Sequence, residues 1–168
     1  MNNGRPKIKV PFEGIDIFLE LVSITVLLLM WIYLIIEYPD LPETIASHFN
    51  AKGEADDFSS KSYLWFLPII ATGMYIGLFI LNKHPHVHNY MVNITEENAL
   101  KNYRFSTRIV RITNTLTVIM FTYIIYYIIQ SAKESELQFS SWFVPIVIVC
   151  SLLLPIGIYL YYRKINKS

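Results

Sequence analysis

Four long apolar runs, separated by polar connections, dominate the chain. They cover residues 17–36, 63–81, 109–129 and 142–162. A helix of about 20 apolar residues spans the hydrocarbon core of a bilayer. In lipid every backbone N–H and C=O group needs an internal partner, and a helix supplies one within a single segment. The pattern therefore predicts an all-α fold, a polytopic membrane protein with a bundle of four transmembrane helices.

Composition supports lipid as the main solvent of this chain. The 168 residues are 54% hydrophobic and only 16% charged, whereas soluble domains carry about 25% charged residues. Charged side chains within the runs are confined to Glu20 and Arg111, each near the start of its run. We predict a single membrane domain over residues 1–168.

The distribution of Lys and Arg predicts the orientation of the chain. Positive charges collect in the N-terminal tail, in the second connection (residues 82–108) and in the C-terminal tail, whereas the first connection (residues 37–62) is mainly acidic. Because cytoplasmic loops carry the excess of Lys and Arg, both termini and the second connection are predicted to be cytoplasmic. The first connection is then an extracytoplasmic loop.

This outer loop holds the densest polar segment of the chain. Pro42 suits the first position of a short helix, and Leu41, Ile45 and Phe49 recur every four residues, which predicts an apolar helical stripe. Asn50 and Gly53 are typical helix terminators.

We predict that the outer loop recognises a peptide or a membrane protein. Phe49 is expected to anchor the loop while polar side chains supply the contacts. The candidate binding residues are Glu43, His48, Phe49, Asn50, Gly53, Glu54 and Asp56.

The second connection contains a predicted helix start. Thr95 is a suitable N-cap, and Glu96 and Glu97 occupy the first turn, where the helix dipole favours negative charge. Together with Asn98 they are expected to fix a helix that continues without a break into the third span.

Two further pairs are candidates for helix packing. Gly73 and Gly77 form a small-xxx-small motif that lets helix backbones approach closely. Asn114 and Thr117, three residues apart, fall on one face of the third span and predict an interhelical hydrogen bond.

Two motifs in order resemble a known family. The first runs Leu41-Pro42-Glu43, His48-Phe49-Asn50, Gly53-Glu54 and Asp56, and the second comprises His84-Pro85-His86-Val87 and Ile94-Thr95-Glu96-Glu97-Asn98-Ala99. Over residues 15–130 the chain resembles a bacterial membrane domain of unknown function that also forms the front part of the SdpI-type immunity proteins.

The resemblance implies a role in immunity to a toxic peptide or in signalling from the bacterial cytoplasmic membrane. The chain departs from the family pattern at Ala46, Asp57 and Met91, and its four spans correspond to the front domain alone.

Other chemistry is less well supported by the sequence. His84, His86 and His88 alternate in a Pro-containing loop, an incomplete set for a metal site, so interfacial polar residues are the simpler interpretation. No nucleophile has an evident base beside it, which predicts no enzyme activity and no cofactor. The net charge of +1 gives no basis for nucleic-acid binding.

Two alternatives to the recognition role stay open. The protein is an accessory subunit of a membrane transporter or enzyme complex if Gly73 and Gly77 pack against a partner. A weaker alternative is transport of a small solute or ion.

Overall fold

The computed structural model describes residues 4–50, 52–133 and 142–166, and most of them are helical. The α-helices are α1 (Gly14–Glu37), α2 (Phe66–Asn82), α3 (Glu96–Lys133) and α4 (Phe143–Ile165). Each lies in a segment long and apolar enough to cross a membrane. This confirms the four predicted helices by length and composition. As predicted, α3 is continuous from the second connection into the third apolar run.

The first connection forms a β-hairpin, so the short helix predicted there is wrong, and the described chain is mostly rather than wholly helical. Strands β1 (Thr44–Phe49) and β2 (Ala55–Ser60) pair in antiparallel fashion. A spacing of four places residues on one face of a strand as well as of a helix, because side chains alternate along a strand with period two. Ile45 on β1 and Leu41, which precedes the strand, are both buried, each with 4% of its surface exposed.

Three short 3-10 helices complete the described elements. They are Tyr38–Asp40, which follows α1, Lys61–Trp65, which precedes α2, and Pro85–Val87 in the second connection. Pro85 stands at the start of the last of these, where its missing N–H leaves no donor unsatisfied.

The described chain divides into two compact units. The first unit comprises residues 1–40 and 62–126, and therefore contains α1, α2 and most of α3. Polar side chains join its helices: the indole N–H of Trp31 donates to the Thr72 hydroxyl at 3.0 Å, and the hydroxyls of Ser23 and Thr115 share a hydrogen bond at 2.8 Å.

The second unit comprises residues 41–61 and 127–168. It contains the hairpin, the last turns of α3 and the whole of α4. Phe49 meets Tyr127 edge to face, with ring centroids 5.3 Å apart. Of the α4 side chains that the structure describes, only Tyr162 is buried. The remaining apolar surface of α4 is suited to contact with lipid.

Candidate functional site

Three of the predicted binding residues shape the turn of the hairpin. The Asn50 carboxamide oxygen accepts hydrogen bonds from the backbone N–H groups of Lys52 at 2.8 Å and Glu54 at 3.1 Å, and its amide donates to the Glu54 carboxylate at 2.9 Å. Gly53 adopts a φ of +83°, a conformation that side chains other than glycine rarely tolerate. Asn50, Gly53 and Glu54 therefore hold the shape of the turn.

His48 and Asp56 form a pair across the hairpin. The His48 Nδ1 lies 2.5 Å from an Asp56 carboxylate oxygen, and the two side chains remain 66% and 44% exposed. Exposed pairs of this kind contribute about 0–1 kcal/mol to stability. The fold of the hairpin is thus stabilised chiefly by other contacts, and the His48–Asp56 pair is accessible to solvent.

Glu43 and Phe49 tie the hairpin down. At its base the Glu43 carboxylate lies 3.2 Å from the Lys61 ammonium, and the Lys61 N–H donates to the Glu43 carbonyl at 2.9 Å. Phe49 contacts Tyr127 within the second unit.

The start of α3 is fixed mainly by Asn98. Its carboxamide oxygen accepts a hydrogen bond from the Thr95 N–H at 3.0 Å, and its amide donates to the Asn93 carbonyl at 2.9 Å. Glu96 and Glu97 occupy the first turn, as predicted, and both side chains are exposed.

The three alternating histidines do not converge. His88 is buried, and its imidazole bonds with the Ser106 hydroxyl at 2.7 Å and with the Leu81 carbonyl at 3.2 Å. Because a carbonyl can only accept, Nε2 carries the proton that points to Leu81. In the part of the chain that the structure describes, no three His, Cys, Asp or Glu side chains are grouped to hold a metal ion.

The predicted packing residues behave differently from one another. Asn114 donates to the Tyr75 carbonyl at 3.2 Å and so links α3 to α2, as predicted. Thr117 is half-buried and makes no hydrogen bond with any described residue through its side chain; Thr115 bonds Ser23 instead. Gly73 and Gly77 are exposed, and a Cβ at either would meet nothing within 4 Å. These glycines therefore bring no described helix close to α2.

A set of six charged residues joins α1 and the residue before it to α3 within the first unit. We call this set the ion ladder; it consists of Glu13, Asp16, Glu20, Arg104, Arg108 and Arg111.

The end of the ion ladder around Glu13, which we call its outer part, is partly exposed to solvent. The Glu13 carboxylate contacts the guanidinium of Arg104 at 3.0 Å and that of Arg108 at 2.6 Å. Glu13 is also the N-cap of α1, and its backbone N–H donates to the Asp16 carboxylate at 2.9 Å. The same carboxylates thus begin the helix and bind α3.

The inner part of the ion ladder is buried. Arg111 contacts Asp16 at 3.3 Å and Glu20 at 3.1 Å, and the exposed fractions of these three side chains are 6%, 2% and 13%. Arg108 contacts Asp16 at 3.4 Å, and the Tyr75 hydroxyl donates to Glu20 at 3.1 Å. Every inner charge therefore has an opposite charge beside it, which buried ions require.

Sequence reasoning missed the ion ladder. The signal was the spacing: residues 13, 16 and 20 share one face of a helix, and so do residues 104, 108 and 111. Their pairing in ascending order on both helices means that α1 and α3 run parallel.

Comparison with known proteins gives one family match. Residues 25–72 match a domain of unknown function (DUF1648). The matched stretch contains the end of α1, the whole hairpin and the start of α2. The first of the two motifs therefore falls inside a family match.

One similar protein is known from Archaeoglobus fulgidus, and it is described as an uncharacterized protein. It is 42% identical over 52 residues, which is 31% of this chain and 27% of the relative. The chain thus matches about a quarter of that relative's length. No solved structure matches the chain.

Proposed function

We propose that this is a non-catalytic binding protein of the bacterial cytoplasmic membrane, whose hairpin engages a peptide or a membrane-protein partner. The observation that carries the proposal is that different polar residues of the hairpin shape its turn and remain exposed on its surface. Asn50, Gly53 and Glu54 meet the needs of the turn. The His48–Asp56 pair is not needed there and is exposed.

The surface of the hairpin suits an extended peptide. Neither strand pairs with another described strand on its second edge, and a strand edge is a surface on which a peptide can add as a further strand. Phe58, on β2, has 59% of its surface exposed, and an exposed aromatic ring supplies contact area at little entropic cost. Backbone pairing combined with an aromatic and a charged contact favours a peptide ligand.

The proposed orientation places this surface outside the cell. The bias of Lys and Arg assigns both termini and the second connection to the cytoplasm. The parallel arrangement of α1 and α3 supports one part of this assignment, that the N-terminus and the second connection share a side, because parallel spans enter a membrane from the same side. An extracytoplasmic hairpin is where a secreted toxic peptide would be met, in line with the resemblance to SdpI-type immunity proteins.

Photo-crosslinking in living cells tests this proposal. A photoreactive residue at position 48 is expected to capture one discrete peptide or membrane protein, which mass spectrometry identifies. The matched control carries the same group at Ile69, an exposed apolar position of α2, and is expected to capture lipid. If position 48 yields only lipid or links within the chain, the recognition role is wrong.

The second candidate function is that of an accessory subunit in a transporter or enzyme complex. It is favoured by the exposure of Gly73 and Gly77, because open space above both residues leaves room for the backbone of a helix from another protein. The double variant Gly73→Ile/Gly77→Ile should abolish co-purification of a large partner, while the control Ile76→Leu should not. Retention of the partner by the double variant would remove this candidate.

A further inference from the structure

A cavity of about 810 Å³ lies in the first unit, beside the inner end of the ion ladder. The segment before α1 contributes Ile8 and Phe12 to its wall, and α2 contributes Phe79. A volume of several hundred Å³ is typical of small-molecule sites, which are mostly apolar with a few polar groups.

The wall before α1 is held in place by contacts with the second connection. The Arg5 guanidinium donates to the His88 carbonyl at 2.7 Å, and the Tyr103 hydroxyl donates to the Pro6 carbonyl at 2.9 Å. Val10 packs against a buried cluster that includes Ile94. This wall of the cavity is therefore anchored to residues 88–103.

The charges around the cavity do not balance. Arg111 and Glu20 both line it, but they neutralise each other in the ion ladder. Lys9 and Lys83 also line it, and neither forms an ion pair with a described carboxylate. The Lys83 ammonium lies 4.8 Å from the centroid of the Phe79 ring. Two lysines thus leave the cavity with a net positive charge.

Asn82 adds an unsatisfied acceptor to the wall. Its amide donates to the Thr107 carbonyl at 3.1 Å, while its buried carboxamide oxygen accepts no hydrogen bond from the described residues. Buried polar atoms normally have a partner. A ligand that carries a hydroxyl donor would supply one.

We propose that the cavity binds an acidic phospholipid, with the phosphate beside Lys9 and Lys83, a headgroup hydroxyl at Asn82 and acyl chain against Ile8, Phe12 and Phe79. Phosphatidylglycerol has this combination of groups. Under the orientation proposed above, the site faces the cytoplasmic leaflet, where basic pockets between spans bind anionic headgroups. The site chemistry itself does not depend on a hairpin partner.

Lipid retention measured by native mass spectrometry tests this assignment. The full chain is taken from nanodiscs that contain equal amounts of dioleoylphosphatidylglycerol and dioleoylphosphatidylcholine, and we expect it to retain the former preferentially. The variant Lys9→Gln/Lys83→Gln should lower affinity for phosphatidylglycerol by about 30-fold, because each lysine near an anionic headgroup contributes roughly a factor of five. Both lysines are exposed, so the variant should fold.

The control variant is Lys7→Gln/Lys164→Gln, which removes the same charge from exposed positions outside the cavity. It should change affinity by no more than about threefold, because neither side chain lines the cavity and exposed charges are screened by salt. Equal retention of both lipids, or equal loss in both variants, would overturn the proposal. Displacement of the lipid by millimolar glycerol phosphate or inorganic phosphate would show that the site binds a soluble anion. That result would overturn the assignment of a lipid as the ligand.

Discussion

The hairpin and the ion ladder use the same polar chemistry in opposite ways. In the turn of the hairpin the partners are four residues apart or fewer, and they are exposed. In the ion ladder the partners are more than 90 residues apart, and Asp16 and Arg111 are almost fully buried. The hairpin contacts shape a local segment, whereas the ladder joins two helices. Loss of a ladder charge should therefore affect the whole first unit.

The largest effect is expected from Arg111→Gln. Removal of this guanidinium leaves the buried Asp16 and Glu20 carboxylates without their inner partner, and breaking a buried ion pair costs about 3–5 kcal/mol. Thermal unfolding in detergent should show a large fall in the Tm. The control Arg163→Gln, at an exposed arginine of α4, should leave the Tm nearly unchanged.

A double-mutant cycle sharpens this prediction. Glu20→Gln combined with Arg111→Gln should cost less than the sum of the two single changes, because the double variant buries no unpaired Glu20 charge. Strict additivity would mean that the contact between Glu20 and Arg111 does not stabilise the fold.

A smaller and local effect is expected from Asn50→Ala. The change removes three hydrogen bonds of the turn, each of which contributes roughly 0.5–1.5 kcal/mol. Amide hydrogen exchange in β1 and β2 should become faster, while the Tm of the first unit stays the same. Asn50→Asp keeps the acceptor for the two backbone N–H groups but sets a second carboxylate against that of Glu54, so it should retain only part of the protection. A fall in global Tm as large as that caused by Arg111→Gln would mean that the hairpin contacts are not local in their effect.

A still smaller effect is expected on acidification, through His88. Burial lowers the pKa of this imidazole below its ordinary value of 6.5, and the nearby His86 adds to this, whereas the hydrogen bond to the Leu81 carbonyl opposes it. Below about pH 6.5 the unfolded chain takes up a proton that the folded chain resists. The free energy of unfolding should therefore be highest above about pH 6.5 and should decrease as the pH falls below that value.

The pH effect is checked by the Tm between pH 7.5 and 5.5. His88→Gln should flatten the decline, while the exposed control His84→Gln should retain it. An unchanged decline in His88→Gln would assign the pH dependence to another group.

The smallest effect is expected from Gly73→Ala and Gly77→Ala. A Cβ at either position meets open space, so the isolated protein should lose no more than about 0.5 kcal/mol of unfolding free energy, and the higher helix propensity of alanine offsets any loss. Thermal unfolding in detergent measures it. A loss above 2 °C in Tm would mean that another copy or helix packs on these glycines.

The sequence predicted the helices well because apolar runs of this length have few other solutions in lipid. It misassigned residues 41–50, since Leu41, Ile45 and Phe49 are spaced by four and suit a helix and a strand equally. The role of Asn50 and Gly53 in ending an element was anticipated, although the element is a strand and the chain turns back on itself.

The ion ladder could not be predicted from local pattern alone. Glu20 and Arg111 were each visible as charges near the start of an apolar run, but nothing in a single run indicates its partner 91 residues away. The cavity escaped prediction for the same reason, since its wall combines residues near positions 10, 80 and 111.

The sequence separation within the ion ladder also sets an order of events during synthesis. Asp16 and Glu20 leave the ribosome about 90 residues before their arginine partner, which at 5–20 residues per second amounts to roughly 5–20 s. During that interval the Asp16 and Glu20 carboxylates have no Arg111 guanidinium to pair with. The pairing of α3 with α1 is then a late step of biogenesis, and the first unit cannot be complete until Arg111 has been made.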